Sequence, residues 1–151
     1  MSKVLVAEDD HLMRWSLEIT LGRGGHTVHA VGSGEAAIAA VMSDDYQVVV
    51  TDYTLPKADG LQVLWRVKAR SPRTHVIVIT GEATPELEKL ARDMGAFEFL
   101  EKPFPLPVLK KAMERALTTP ERRKGPRGCC GQCAWHHPCA RWAPQEAVRV
   151  S

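Results

Sequence analysis

The stretch Val48-Val49-Val50-Thr51-Asp52-Tyr53-Thr54-Leu55-Pro56 decides how the rest of the chain is interpreted. Three β-branched apolar residues lead directly into a threonine and an aspartate, and a proline closes the run. A short, unbroken apolar run is typical of a strand that is buried on both faces of a parallel sheet. Such sheets bind ligands at the carboxyl ends of their strands. We therefore expect the carboxylate of Asp52 to lie at a functional edge.

Four further strand-like runs alternate with segments of helical periodicity. The predicted strands are residues 4–7, 27–31, 47–51, 75–80 and 97–100, and the last helix covers about residues 105–117. The second helix, capped by Ser33, is expected to bury Ala37, Ile38, Val41 and Met42. This alternation predicts an α/β fold with a doubly wound parallel sheet of five strands, (βα)5, and helices on both faces.

Composition and charge divide the chain near residue 117. Of the 151 residues, 44% are apolar, which is enough for one core of ordinary size. Residues 1–117 carry 14 basic and 16 acidic side chains, whereas residues 118–151 carry 6 and 2, together with all four cysteines. We expect a globular domain at 1–117, followed by a basic tail rich in Pro, Gly and Cys at 118–151.

The sequence does not predict membrane insertion or secretion. No apolar run approaches the roughly 18 residues that a membrane-spanning helix needs. The first residues lead directly into a strand-like run, without the pattern of a secretory signal. The expectation is a cytoplasmic protein with no membrane partner.

Polar side chains follow several of the predicted strands at the edge to which Asp52 belongs. Glu8 and Asp9 follow the first strand, and Asp10 is expected to begin the next helix. Thr80 closes the fourth strand, and Lys102 follows the fifth. Three carboxylates held together repel one another and need a cation. Oxygen ligands favour a hard ion, so the sequence predicts Mg²⁺ at this edge.

A carboxylate beside Mg²⁺ predicts phosphoryl chemistry. Asp52 can act as a nucleophile toward a phosphoryl group and form an acyl phosphate. The Lys102 ammonium is suited to pairing with one phosphoryl oxygen, and the Thr80 hydroxyl to donating a hydrogen bond to another. The residues alone fit either a phosphorylated signalling module or a hydrolytic enzyme.

The sequence resembles the receiver domain of bacterial two-component response regulators. The motifs that carry the resemblance are Val-Leu-Val-Ala-Glu-Asp-Asp at 4–10, Asp-Tyr-Thr-Leu-Pro-Lys-Ala-Asp-Gly at 52–60, Ile-Thr-Gly at 79–81 and Glu-Lys-Pro-Phe at 101–104. They occur in the family's order and at similar spacing within about residues 1–117. The resemblance implies a chemotaxis-regulator-like, flavodoxin-like fold that accepts a phosphoryl group from a histidine kinase.

The resemblance also implies roles for the residues at the site. Asp52 would be the phosphoacceptor, and Lys102 would pair with the phosphate. The metal site would comprise Glu8, Asp9, Asp52 and the backbone carbonyl of Thr54.

Two further residues would form the switch. Thr80 would supply the switch hydroxyl, and Phe99 occupies the aromatic switch position, where Tyr is common in the family. The peptide bond before Pro103 is cis in this family. Phosphorylation would then change a protein-interaction surface made of the fourth helix, the fifth strand and the fifth helix.

The implied partners are a sensor histidine kinase or phosphotransfer protein and a downstream protein target, with a phosphorylation-dependent homodimer as a further expectation. Two alternatives remain. The first is a Mg²⁺-dependent aspartyl-phosphate phosphohydrolase, although such enzymes typically place a second acid where this chain has Thr54. The second is a DNA-binding regulator that acts through the basic tail, although the tail has no helix-turn-helix pattern, so nucleic acid is not the expected partner.

The tail allows several interpretations. Cys130, Cys133, His136 and Cys139 follow one another at intervals of three, and three cysteines with one histidine suit tetrahedral Zn²⁺. Structural zinc sites usually separate two ligand pairs by a longer loop, which this stretch lacks. An iron–sulfur cluster is an alternative. A flexible basic tail without fixed structure is the third interpretation.

Overall fold

The computed structural model describes residues 2–119, which form five strands and five helices. The strands are β1 (Lys3–Ala7), β2 (Thr27–Val31), β3 (Val48–Asp52), β4 (His75–Thr80) and β5 (Glu98–Glu101). The helices are α1 (His11–Arg23), α2 (Gly34–Ser43), α3 (Gly60–Arg70), α4 (Pro85–Asp93) and α5 (Leu106–Thr118). The predicted fold class is confirmed, and the strand bounds at β1, β3 and β5 differ by one residue from those expected.

All strands are parallel, and their order in the sheet is β2-β1-β3-β4-β5. The chain moves to one side of β1 to form β2 and then returns to the other side to form β3. This reversal leaves a crevice between the carboxyl ends of β1 and β3, where Ala7 pairs with Thr51. The topology therefore places the residues that follow these two strands at the usual ligand position of the fold.

Two apolar layers hold the helices against the sheet. One contains Leu5, Val49 and Val78 with the inner faces of α2, α3 and α4, and the other contains Val6, Val50 and Ile79 with those of α1 and α5. Alternate strand residues face opposite layers because side chains alternate along a strand. Every residue of β3 and β4 is buried, so these two central strands form a fixed base for the residues at their ends.

Helix α2 departs from the predicted burial pattern at Met42. Its buried residues include Ala37, Ala40 and Val41, whereas Met42 is 51% exposed. Positions i, i+3 and i+4 share one face of a helix, and Met42 lies beyond that stripe. The expectation that Met42 faces the core was therefore wrong.

Side-chain caps fix where most of the helices begin. Asp10, Ser33, Asp59 and Thr84 each accept a hydrogen bond from the backbone amide three residues later. The Asp10 carboxylate accepts from the Met13 amide at 3.0 Å, as its expected position at the start of α1 requires. None of the helices within residues 2–119 combines the length and apolar character needed to span a bilayer.

Candidate metal and phosphoryl site

A single ammonium group joins two carboxylates from separate strands. Glu8 directly follows β1, Asp52 is the last residue of β3, and Lys102 directly follows β5. The Lys102 Nζ donates to Glu8 Oε2 at 2.6 Å and to Asp52 Oδ2 at 2.7 Å. The parallel sheet thus brings together side chains that lie 94 and 50 residues from Lys102 in the sequence.

The Asp52 carboxylate is held on both of its oxygens. Besides the bond to Lys102, Asp52 Oδ1 accepts from the Thr54 amide at 3.1 Å. The Asp52 side chain keeps 7% of its surface exposed, so only a small part of it is open to solvent. Its position is therefore set before any ligand arrives.

The three carboxylates form a compact oxygen cluster. Glu8 is fully buried, Asp9 is exposed, and one carboxylate oxygen each from Glu8, Asp9 and Asp52 lies within 4.8 Å of the others. An all-oxygen set with room for solvent on its exposed side suits Mg²⁺, which retains several waters. The donor set therefore fits the metal that the sequence predicts.

Burial changes the proton affinity of the charged groups. Burial raises the pKa of Glu8 to about 7, although the hydrogen bond from Lys102 opposes that rise. Burial also disfavours the charge on Lys102, but its hydrogen bonds to Asp52 and Glu8 outweigh burial, so the Lys102 pKa is raised. The Lys102 ammonium is thus charged near neutral pH, whereas the buried Glu8 carboxyl gains or loses a proton in that range.

Thr80 is hydrogen-bonded to the loop before α4 and to the backbone of Lys102. It is fully buried at the end of β4, and its Oγ1 accepts from the Glu82 amide at 3.0 Å. Its backbone carbonyl accepts from the Lys102 amide at 2.7 Å. The hydroxyl is thereby connected to the loop that leads into α4.

Phe99 is buried in this structure. Its exposed fraction is 7%, and it lies in the same apolar cluster as Ala91 of α4 and Met94, which directly follows that helix. The ring therefore belongs to the core on the α4 side. The peptide bond between Lys102 and Pro103 is cis, as the resemblance implies.

Some neighbours of the site were not anticipated from the sequence. The Arg14 Nη1 donates to the backbone carbonyl of Glu8 at 3.0 Å. A Cβ on Gly60 would lie 2.4 Å from the Asp52 carbonyl oxygen, so the loop after β3 closes tightly on the strand. No local pattern in the sequence around Arg14 indicated its contact with Glu8. The predicted ligands Cys130, Cys133, His136 and Cys139 lie outside the described residues.

The fold and its acidic edge define a phosphoacceptor module of two-component signalling. The chain belongs to the response regulator receiver domain family, whose model matches residues 4–114.

Relatives and solved structures agree with this assignment. Over 124 residues the chain is 33% identical to the DNA-binding transcriptional regulator NtrC of Salmonella typhimurium, covering 82% of this chain and 26% of NtrC. It is 37% identical to the transcriptional regulatory protein TcrA of Mycobacterium tuberculosis, covering 82% of this chain and 47% of TcrA. A receiver domain structure from Clostridium thermocellum superposes with a TM-score of 0.73 at 28% identity, covering 78% of this chain and 94% of that one. The chain thus spans about a quarter of the length of NtrC.

Membership in the receiver domain family establishes the general activity of the chain. A receiver domain takes a phosphoryl group on an aspartate and acts as a signalling module. Receiver domains typically bind Mg²⁺ at an acidic pocket, which here corresponds to the cluster of Glu8, Asp9 and Asp52. They interact with histidine kinases and with output domains or targets.

Proposed function

We propose that Asp52 accepts a phosphoryl group from a histidine kinase or phosphotransfer protein, and that Glu8, Asp9, Asp52 and the carbonyl of Thr54 hold Mg²⁺. One observation carries the proposal: the Lys102 ammonium contacts both Glu8 and Asp52, within 2.7 Å, beside the oxygen cluster. This is the arrangement of charge that a transferring phosphoryl group requires.

The chemistry of the chain's residues follows from their positions. An Asp52 carboxylate oxygen forms a bond to the phosphorus atom, while the bond between that phosphorus and the donor's histidine nitrogen breaks. The histidine leaves with the electron pair of the broken bond. Lys102 pairs with a phosphoryl oxygen as charge moves onto the new acyl phosphate. Mg²⁺, when bound, neutralises further charge on the phosphoryl oxygens.

The switch is proposed to begin at Thr80. Its hydroxyl oxygen accepts from the Glu82 amide, and its proton is available for donation to a phosphoryl oxygen on Asp52. A new bond of this kind exists only in the phosphorylated state, so it favours a changed position of the loop before α4. The buried ring of Phe99 would transmit that change to the surface formed by α4, β5 and α5, where a target or a second phosphorylated copy would bind.

The proposal is tested with the Asp52→Asn variant. With Mg²⁺ and a small phosphodonor, we expect the intact mass of the wild-type chain to rise by one phosphoryl group, while Asp52→Asn gains none. Asp59→Asn is the matched control, because it removes a carboxylate from the same loop while asparagine still caps α3. Labelling of Asp52→Asn to the wild-type level would refute the assignment.

A phosphate-release assay with phosphomonoesters separates signalling from hydrolysis. A receiver module modifies itself once and then loses the phosphoryl group to water, and we propose that this is the only chemistry the chain performs. A phosphohydrolase would instead turn over phosphomonoesters continuously without accumulating acyl phosphate. Steady release of phosphate from such esters would therefore favour the enzyme.

A further inference from the structure

The first residue of α2 packs against the loop between β3 and α3. A Cβ added to Gly34 would lie 1.9 Å from the Ala58 carbonyl oxygen and 2.6 Å from the Ala58 carbonyl carbon. Both contacts are with backbone atoms, which a side-chain rotation cannot relieve. The Gly34 amide also donates to the Pro56 carbonyl at 3.3 Å. Only glycine allows α2 to approach the loop this closely.

The segment that Gly34 contacts has a strained turn. Lys57 has a φ of 71°, and the Ala58 amide donates to the Pro56 carbonyl at 2.9 Å. A bond from residue i+2 to residue i across a positive φ is the rare, strained form of the γ-turn. The turn is supported from α2, because the Pro56 carbonyl also accepts from Gly34 and the Lys57 Nζ lies 3.6 Å from Glu35 Oε2.

The same loop begins at the candidate site. It leaves β3 at Asp52, and the Thr54 amide donates to Asp52 Oδ1. It returns at Gly60, whose amide donates to the Tyr53 carbonyl at 2.8 Å. Its two ends therefore meet just beyond the carboxyl end of β3, while its outer turn at 56–58 is bonded to α2.

We propose that Gly34 is a positioning residue for the metal site. By holding the turn at 56–58, the N-terminus of α2 sets the position of Thr54 relative to Asp52, and with it the affinity of the site for Mg²⁺. The inference rests on the proposed function, because it assumes that Thr54 and Asp52 take part in metal binding. It makes Mg²⁺ binding depend on Gly34, a residue that lies outside the acidic cluster.

The first test compares Gly34→Ala with Gly22→Ala, in which the added Cβ meets nothing within 4 Å. We expect Gly34→Ala to bind Mg²⁺ roughly tenfold more weakly in a calorimetric titration, as is typical when support behind metal ligands is lost. Gly22→Ala is expected to match the wild type, and thermal unfolding of each variant monitors the fold. Equal Mg²⁺ affinities for Gly34→Ala and the wild type would overturn the inference.

The second test uses the wild-type chain and does not depend on whether Gly34→Ala folds. Adding Mg²⁺ and beryllofluoride is expected to slow hydrogen exchange at the Gly34 amide, because the loop that accepts its hydrogen bond becomes more rigid. The Ala36 amide, bonded to Ser33 Oγ within the same helix, is the control and is expected to be unchanged.

The two failures are distinguishable. If the wild-type chain binds no Mg²⁺, the proposed function itself fails. If it binds Mg²⁺ while exchange at Gly34 is unaffected, only the positioning role fails.

Discussion

Lys102 determines much of the electrostatics of the site. Its ammonium is placed between a fully buried Glu8 and a nearly buried Asp52, with Asp9 close by at the exposed side. Without this cation, the carboxylates would repel one another across a medium of low polarity. The site thus already contains one positive charge before Mg²⁺ is bound. The three carboxyl groups carry more negative charge than this single ammonium neutralises.

Glu8 is expected to make Mg²⁺ binding depend on pH near neutrality. Its pKa is raised to about 7, so the folded protein binds a proton that the unfolded chain releases at lower pH. The stability that this proton contributes is complete below the unfolded pKa of about 4.5 and is lost as the pH rises through 7. Because the metal needs the carboxylate form, Mg²⁺ affinity should rise from pH 6 to pH 8, with release of a proton.

Calorimetry in two buffers of different ionisation enthalpy measures that proton directly. In Glu8→Gln, which keeps an oxygen for the Asp10 amide, the pH dependence around 7 should disappear. A wild-type affinity that is constant between pH 6 and pH 8 would contradict the assignment.

Removing the ammonium is expected to destabilise the metal-free protein. Lys102→Gln leaves Glu8 buried without its cationic partner, so the free energy of unfolding should fall by about 1–3 kcal/mol. Added Mg²⁺ should restore part of this loss, because a ligand that binds only the folded state stabilises it. Urea unfolding with and without Mg²⁺ provides the measurement, and Lys110→Gln on the exposed face of α5 is the control. A Lys102→Gln variant as stable as the wild type without Mg²⁺ would show that the pair does not stabilise the fold.

Helices α4 and α5 are joined through one carboxylate on β5. Glu98 Oε1 accepts from Arg92 of α4 at 3.0 Å, and Glu98 Oε2 accepts from Arg115 of α5 at 2.8 Å. Burial opposes the charge on Glu98, but the Phe99 amide and the two arginines outweigh it and lower the Glu98 pKa. This three-residue bridge crosses the surface that the proposed switch would change.

The Glu98→Gln variant should lower the free energy of unfolding by about 0.5–1 kcal/mol at pH 7, a modest value because solvent screens partly exposed arginines. Since the folded pKa of Glu98 is depressed, its contribution is present above the unfolded pKa and is lost as the pH falls through the folded pKa. Urea unfolding should therefore show that the wild type and Glu98→Gln differ less in their free energy of unfolding at pH 3.5 than at pH 7. The control variant Glu18→Gln, on the exposed side of α1, should unfold with the same free energy as the wild type. If Glu98→Gln is destabilised equally at both pH values, the role assigned to the Glu98 charge is wrong.

The helices and strands could be predicted where the pattern is local. The apolar runs of β3 and β4 are buried over their whole length, which is why they stand out in the sequence. The face of α2 was only partly predicted, because Ala40 rather than Met42 completes its buried stripe. The positive φ of Lys57 and the contact between Gly34 and Ala58 depend on tertiary approach, and nothing near either residue in the sequence reveals them.

The chemistry at the site was predictable for a different reason. Parallel strands place their carboxyl ends at one edge, so alternation alone predicted that Glu8, Asp52 and Lys102 would be neighbours. The assignment of Thr80 and Phe99 to a switch came from the resemblance and stays a prediction. Periodicity does not specify that the Thr80 hydroxyl binds the Glu82 amide or that the Phe99 ring is buried.

The division of the chain near residue 117 remains a prediction that truncation can test. Within residues 2–119, α5 is the last element that packs against the sheet, and the Thr119 carbonyl accepts from His75 Nε2 at 2.7 Å. A chain ending at Thr119 should therefore keep the unfolding midpoint and the phosphorylation of the full chain. A chain ending at residue 117 should have a slightly lower unfolding midpoint, since it lacks that bond. A large fall in the unfolding midpoint of either shortened chain would contradict the proposed boundary.

Metal analysis of the same proteins tests the remaining prediction for the tail. Zinc that is retained by the full chain and absent from the chain ending at Thr119 would support the ligand set Cys130, Cys133, His136 and Cys139. Equal zinc content in both would remove that hypothesis.

The complete burial of β3 and β4 has a practical consequence for detecting phosphorylation. Amide protons in these strands should exchange with solvent so slowly that they report little of an event at Asp52. The residues immediately beyond the strand, from Gly81 to Thr84, include exposed positions and connect to the Thr80 hydroxyl. A fluorescent or nuclear-spin probe intended to follow the modification in real time therefore belongs on this short connection.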